Sequence, residues 1–108
     1  MTVNGLIKAC GFTAAVLPQP DREIKGAYMG DLLSWVMGRA GEDNVWITIM
    51  SNINVVAVAS LADVACVIAA EGVEFEEDIL KTAEEKGVNI LLSSKPSYET
   101  AVSIAEHI

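Results

Sequence analysis

Positive charge is what this sequence most lacks. Seven Lys and Arg residues stand against 15 Asp and Glu, for a formal net charge of −8, and the seven are scattered rather than clustered. Nucleic acid and anionic membrane both demand a basic face, so neither is expected as a partner. Histidine is nearly missing as well. The single His107 sits one residue from the end of the sequence, where fraying makes a poor general base. Only two cysteines occur, Cys10 and Cys66, each in apolar surroundings and neither in a C-x-x-C pair. They read as small buried hydrophobes of a reducing compartment rather than as a disulfide or a metal site. Also absent are a G-x-x-x-x-G-K-[ST] phosphate loop and a G-x-G-x-x-G turn after a strand. Neither nucleotide hydrolysis nor dinucleotide redox chemistry is therefore expected, and no cofactor is assigned. The longest apolar run, Val55 to Leu61 with Ser60 inside it, is far below the ~20 residues of a membrane span. No charged segment followed by a long apolar run opens the sequence, so the expectation is a cytoplasmic protein without a signal peptide.

What the chain has in excess is apolar character. Hydrophobic residues make up 52% of 108 positions, with a mean hydropathy of +0.39. That length suits a single domain over 1–108, and a domain of this size buries about two-thirds of its unfolded surface. Apolar area left over after such burial is best covered by a second copy or a partner protein. Trp35, Met37 or the small-residue run Val55 to Ala59 could supply the contact face.

The excess is concentrated between Val45 and Gly72, and the chain is organised around that stretch. Val45 to Met50 has β-branched and aromatic residues on both faces, as a central strand covered on two sides requires. Ser51 or Asn52 can cap a helix from Ile53 to Leu61, although Val55 to Val58 also suits a strand. Asp63 then turns the chain into a strand from Val64 to Ala69, which Gly72 ends. Upstream, Thr2 caps a helix with Val3, Leu6, Ile7 and Cys10 on one face and Gly11 past its end. Phe12 to Leu17 and Ile24 to Tyr28 are extended, separated by the Pro18 to Asp21 turn. Asp31 is the expected cap of a short helix with Trp35 and Met37 inside, stopped at Gly38 or Gly41. Downstream, the acidic start Glu74 to Asp78 opens a helix that Gly87 closes, and Val88 to Leu92 is a strand. Ser97 caps a last helix whose inner face is Ala101, Val102, Ala105 and Ile108.

Strands alternating with helices across loops of two to six residues give an α/β fold. The expected architecture is a three-layer sandwich, with a mostly parallel sheet of four or five strands and helices on both faces. Crossovers of one hand then place every strand's C-terminal end on one rim, where ligands enter such sheets. Gly30, Asp31, Ser51, Asn52, Asn54, Glu71, Gly72 and Ser93 are the candidate ligand-binding residues of that rim. Free N–H groups at helix starts there suit a phosphorylated or nucleotide ligand. No serine or cysteine nucleophile has an evident partner, and ligand-type residues do not cluster outside the acidic helix start, so no catalytic or metal site is assigned. Asp31 and Asp63 could act as acids or bases, but each is more simply a cap or turn residue.

The strings Gly26-Ala27-Tyr28-Met29-Gly30-Asp31-Leu32-Leu33-Ser34-Trp35-Val36-Met37-Gly38, Trp46 to Ile49 and Asn54 to Leu61 resemble the DRTGG-domain family over nearly the whole chain. That family is similar to the N-terminal domain of HPr kinase/phosphorylase and also occurs beside CBS domains in regulated pyrophosphatases. The resemblance implies a non-catalytic regulatory or assembly module, an α/β sandwich that is usually dimeric. Because stand-alone members are often encoded near hydrogenase-like or redox genes, it further implies a partner enzyme of that kind. The literal D-R-T-G-G string is missing. Ser51 to Asn54 and Ala70-Glu71-Gly72 occupy that general region. The kinase domain that would carry phosphate chemistry is also absent.

Overall fold

The computed structural model describes residues Met1–Ile108. Its two innermost strands, β3 (Val45–Thr48) and β4 (Cys66–Ala69), are buried at all eight positions, so their main chains are paired on both sides and their side chains covered above and below. The neighbours are β2 (Ala27–Met29), parallel to β3, and β5 (Ile90–Leu92), parallel to β4. β1 (Thr13–Val16) runs antiparallel along the far side of β5 and completes the order β1-β5-β4-β3-β2. Because β1 is reversed, its start rather than its end lies on the rim where the parallel strands finish. The expectation that all strands end on one rim fails at this strand.

From β2 to β5 the sheet grows in one direction, so crossovers of constant hand leave the connecting helices on one face. These are α2 (Leu33–Arg39), α3 (Ile53–Ala62) and α4 (Glu77–Lys86), with α3 packed between the other two. Val36, Val55, Val56, Val58, Ala59 and Ala83 meet Trp46, Val67 and Ile90 there. The opposite face carries only α1 (Val3–Cys10) and α5 (Ser97–Ala105), whose Val3, Leu6 and Ile104 meet Val45, Ile47, Cys66, Ile68 and Leu91. The sandwich has three layers, but two helices cover one face and three the other.

Local chemistry explains most boundaries. The Thr2 hydroxyl oxygen accepts from the Gly5 amide, and left-handed Gly11 closes α1. Asn52 caps α3 by accepting from the Asn54 amide, and Gly87 closes α4. Five expectations are corrected. Asp31 does not cap α2. Its Oδ1 instead accepts from the Thr48 hydroxyl at 2.8 Å and the Ile49 amide at 3.0 Å, so it pins the end of β3, and α2 starts after Leu32 without a side-chain cap. That helix closes at Ala40 rather than at glycine, and it turns Leu33, Val36 and Ala40 inward, leaving Trp35 (53% exposed) and Met37 outside. In α5 the inward residues are Thr100 and Ile104, while Val102, Ala105 and Ile108 are exposed. The slip follows from Thr100, whose Oγ1 lies 2.8 Å from the buried Ser93 Oγ. Nor does Ser97 cap α5. Pro96 holds that position, and the Ser97 amide donates to Glu71 Oε2.

Polar staples hold the rim at which the parallel strands begin. Arg22 Nε donates to Asp43 and its Nη2 to Asp63, and both acidic residues adopt left-handed backbone angles. Burial disfavours the Arg22 charge, but hydrogen bonds and attraction from Asp63 and Asp43 outweigh it and raise the guanidinium pKa above its ordinary value. Buried Asn89 behaves as a piece of backbone, accepting from the Gln19 amide and donating to the Gln19 and Ala65 carbonyls.

Two measurements probe this frame. Asp31→Ala is expected to lower the urea unfolding free energy by about 1–3 kcal/mol, since the Thr48 and Ile49 donors lose their acceptor; Asp31→Asn, which keeps one acceptor oxygen, should lose less than half of that. Full burial pushes the Cys66 thiol from 9.0 up to about 12. The folded chain therefore keeps a proton that the unfolded chain releases, so this contribution is complete below pH 9 and is lost as pH rises towards 12. The slope should reach about 1.4 kcal/mol per pH unit, and Cys66→Ala should flatten it in denaturation curves compared across that window.

Candidate functional site

The rim at the ends of β2 to β5 carries two separate hollows rather than one crevice, and the topology explains why. A crevice in an open α/β sheet forms where neighbouring strands send their helices to opposite faces. Here β2, β3 and β4 send theirs to one face and β5 sends α5 to the other, so the single such point lies between β4 and β5, where one hollow sits, and the other hollow lies apart from it.

The first hollow lies at the β1–β5 side, where the start of β1 meets the loops after β4 and β5. Gly11, Phe12 and Thr13, Gly72 to Glu74, and Ser93, Ser94 and Lys95 line about 210 Å³. Tandem left-handed residues Glu71 and Gly72 shape its wall, with the Gly72 amide donating to the Ser93 carbonyl. The Ser93 hydroxyl accepts from the Lys95 amide at 3.2 Å, which curls the loop. Lys95 is the only cation lining this hollow, and Cys10 contributes to one side. Burial raises the Cys10 thiol pKa, attraction to Lys95 lowers it and Glu106 adds a smaller upward push.

The second hollow, about 630 Å³, lies between the β3–α3 loop and the start of α4. Ser51, Asn52 and Ile53 form one wall, while Glu74, Glu76, Asp78, Ile79 and Thr82 form the other. Three carboxylates facing the serine and asparagine suit a cation or a hydrogen-bond donor better than a phosphate.

The candidate rim residues are thus dispersed. Gly72 and Ser93 meet in the first hollow, and Ser51 and Asn52 in the second. Asn54 is exposed on the first turn of α3 and lines neither. Glu71 turns its carboxylate to the Ser97 amide at 2.7 Å. Gly30 and Asp31 belong to the β2–β3 end, where the Gly30 carbonyl accepts from Trp46 Nε1 and Asp31 holds Thr48. Asp63 is held by Arg22, so neither aspartate weighed as an acid or base is free of a structural partner. Gly11, Thr13 and Lys95 were not among the sequence candidates; the antiparallel placement of β1 brings Gly11 and Thr13 to this rim, while Lys95 follows Ser93 in the loop after β5. No periodicity carries the placement of β1.

A third concavity is apolar and lies on the thinly covered face. Gly26, Ala27, Met29, Ile47, Ala101, Ile104, Ala105 and Ile108 line about 380 Å³ between edge strand β2 and α5. The alternative contact face at Val55 to Ala59 is not available, since all but Ala57 are buried.

Likeness to known proteins agrees with this architecture. No curated protein matches the sequence. The fold resembles the crystal structure of the CBS and DRTGG domains of the regulatory region of Clostridium perfringens pyrophosphatase, complexed with its activator diadenosine tetraphosphate. The TM-score is 0.77 at 11% identity, covering 95% of this chain. The chain spans 45% of that protein's resolved length, so the likeness concerns the fold. The sequence itself matches the model of the DRTGG domain over residues 29–107, from the end of β2 through α5. The chain belongs to the DRTGG domain family.

Proposed function

We propose that this chain is a non-catalytic regulatory module that works by contact, as a homodimer coupled to a partner enzyme. The observation that carries the proposal is the placement of four of its eleven exposed large apolar side chains. Met29, Leu32, Trp35 and Met37 all fall within residues 26–41, a segment whose only charges are Asp31 and Arg39 in a chain of net charge −8. Large exposed hydrophobes on a neutral stretch of an otherwise acidic surface are what an interface needs, because two copies meet there without stacking like charge. Family membership and the regulatory setting of the pyrophosphatase relative support the same role. On the family resemblance, the partner belongs with redox enzymes such as hydrogenases, in the cytoplasm. Sedimentation velocity at tens of micromolar should find a species near twice 11.5 kDa; a monomer throughout that range would contradict the proposal.

A second reading has its own observation. The small hollow beside Lys95, Ser93 and Gly72 combines a cation with polar loop groups, and a phosphorylated or nucleotide ligand would fit its chemistry. The module would then act as a sensor. A thermal-shift series with nucleotides and sugar phosphates separates the two readings, since a ligand at 100 times its Kd adds about 2.7 kcal/mol to folding. Lys95→Ala should abolish that gain, and no shift with any compound would remove the sensor reading.

A further inference from the structure

The two edges of the sheet differ in how they are finished. At β1 the ladder carries an irregularity between Ala14 and Val16, and Glu77, Asp78, Lys81 and Glu84 of α4 stand beside Ala15 and Val16. Bulges and charges of this kind blunt a strand edge against pairing. At β2 neither device is present. The strand is regular against β3 across Ala27, Tyr28 and Met29 and carries no charge itself, the nearest being Lys25 before it and Asp31 after it.

In a parallel ladder, alternate residues turn their main-chain groups towards the neighbour. The Gly26 carbonyl accepts from Val45 and the Gly30 amide donates to Ile47, so the even-numbered positions serve β3. Ala27 and Met29 therefore direct their N–H and C=O groups outwards. We propose that a second copy of this chain occupies this edge, β2 pairing antiparallel with β2 of the partner about a two-fold axis at Tyr28. This rests on the homodimer reading above and names its surface.

The pattern is self-complementary. With the axis at Tyr28, Ala27 of one copy faces Met29 of the other as a hydrogen-bonded pair, and the reciprocal pair repeats it. Four main-chain hydrogen bonds result, and the two Tyr28 side chains become cross-strand neighbours.

Three residues of strand cannot supply the roughly 800 Å² per partner of a stable interface. The flanks do. On the thinly covered face α5 packs on β3, and the apolar groove lies between α5 and the strand edge. Across the axis the two β3 strands are three strand spacings apart, about 14 Å. Helices pack at about 8–10 Å, so the two α5 helices would leave a slot between them. Met29 and Ile108 of both copies are placed to fill it. On the other face, Leu32 follows β2 by three residues and Trp35 stands in the first turn of α2, with the Arg39 guanidinium stacked 3.9 Å from its ring centre. Those side chains extend the contact.

Hydrogen exchange by mass spectrometry over Gly26–Gly30, at low and high micromolar wild-type protein, tests the surface without a variant. The outward amides of Ala27 and Met29 should gain protection with concentration, in step with the dimer seen by sedimentation. Met29→Lys, at a position 53% exposed, should keep the thermal melt of the fold while weakening dimerisation by at least about ten-fold. A dimer present by sedimentation while the Ala27 and Met29 amides stay unprotected would overturn this surface and leave the homodimer reading standing. A dimer untouched by Met29→Lys would likewise overturn the surface alone. A monomer at all concentrations would overturn both.

Discussion

Everything in this molecule follows from two strands that have no wet side. Val45 to Thr48 and Cys66 to Ala69 are buried residue by residue, so their main-chain groups find partners only in the sheet and their side chains only in helices above and below. Burying β3 and β4 fixes the layers, and the direction of strand order then fixes which helices go where. Three crossovers fill one face, and the chain's first and last helices remain for the other. Two helices cannot cover five strands. The shortfall is at β2, where Ala27 and Met29 look into an open apolar groove.

The same accounting separates structural polar groups from available ones. Asp31, Asp63 and Glu71 look like functional residues in the sequence, yet like Asp43 and Asn89 each closes a turn, holds a strand end or meets a helix start. No buried side-chain nitrogen or oxygen is left without a partner. Polar atoms with unused capacity lie at the surface, in the small hollow by Lys95 and the acidic one by Glu74. The main-chain edge of β2 adds donors and acceptors of a different kind.

Much of this was legible in the sequence because it is encoded locally. The caps Thr2 and Asn52, the closing glycines Gly11 and Gly87, and the doubly apolar β3 need no distant information. The family resemblance was legible too, since the match over residues 29–107 contains all but the first three residues of the strings that carried it. What was not legible depends on contacts far apart in the chain. Asp31 and Thr48 are seventeen residues apart, and their bond removed the expected cap. A buried hydroxyl pair, Ser93 with Thr100, rotated α5 away from its most apolar face. In α2, Leu33, Val36 and Ala40 compete with Trp35 and Met37 for the inward side, and the sheet edge decided for the smaller set. The rim residues were dispersed for a similar reason: strand order, which periodicity does not encode, determines which loops meet.

The uncovered edge beside β2 is the centre of the account, and small-angle X-ray scattering of the wild-type protein addresses it most directly. One copy has a Cα radius of gyration of 11.9 Å and a width of 25 Å. Two copies joined edge to edge have centres about one width apart, and half that width combined in quadrature with 11.9 Å gives about 17 Å. A value near 17 Å at tens of micromolar is the expected result; a value that stays near 12 Å as concentration rises would contradict the account.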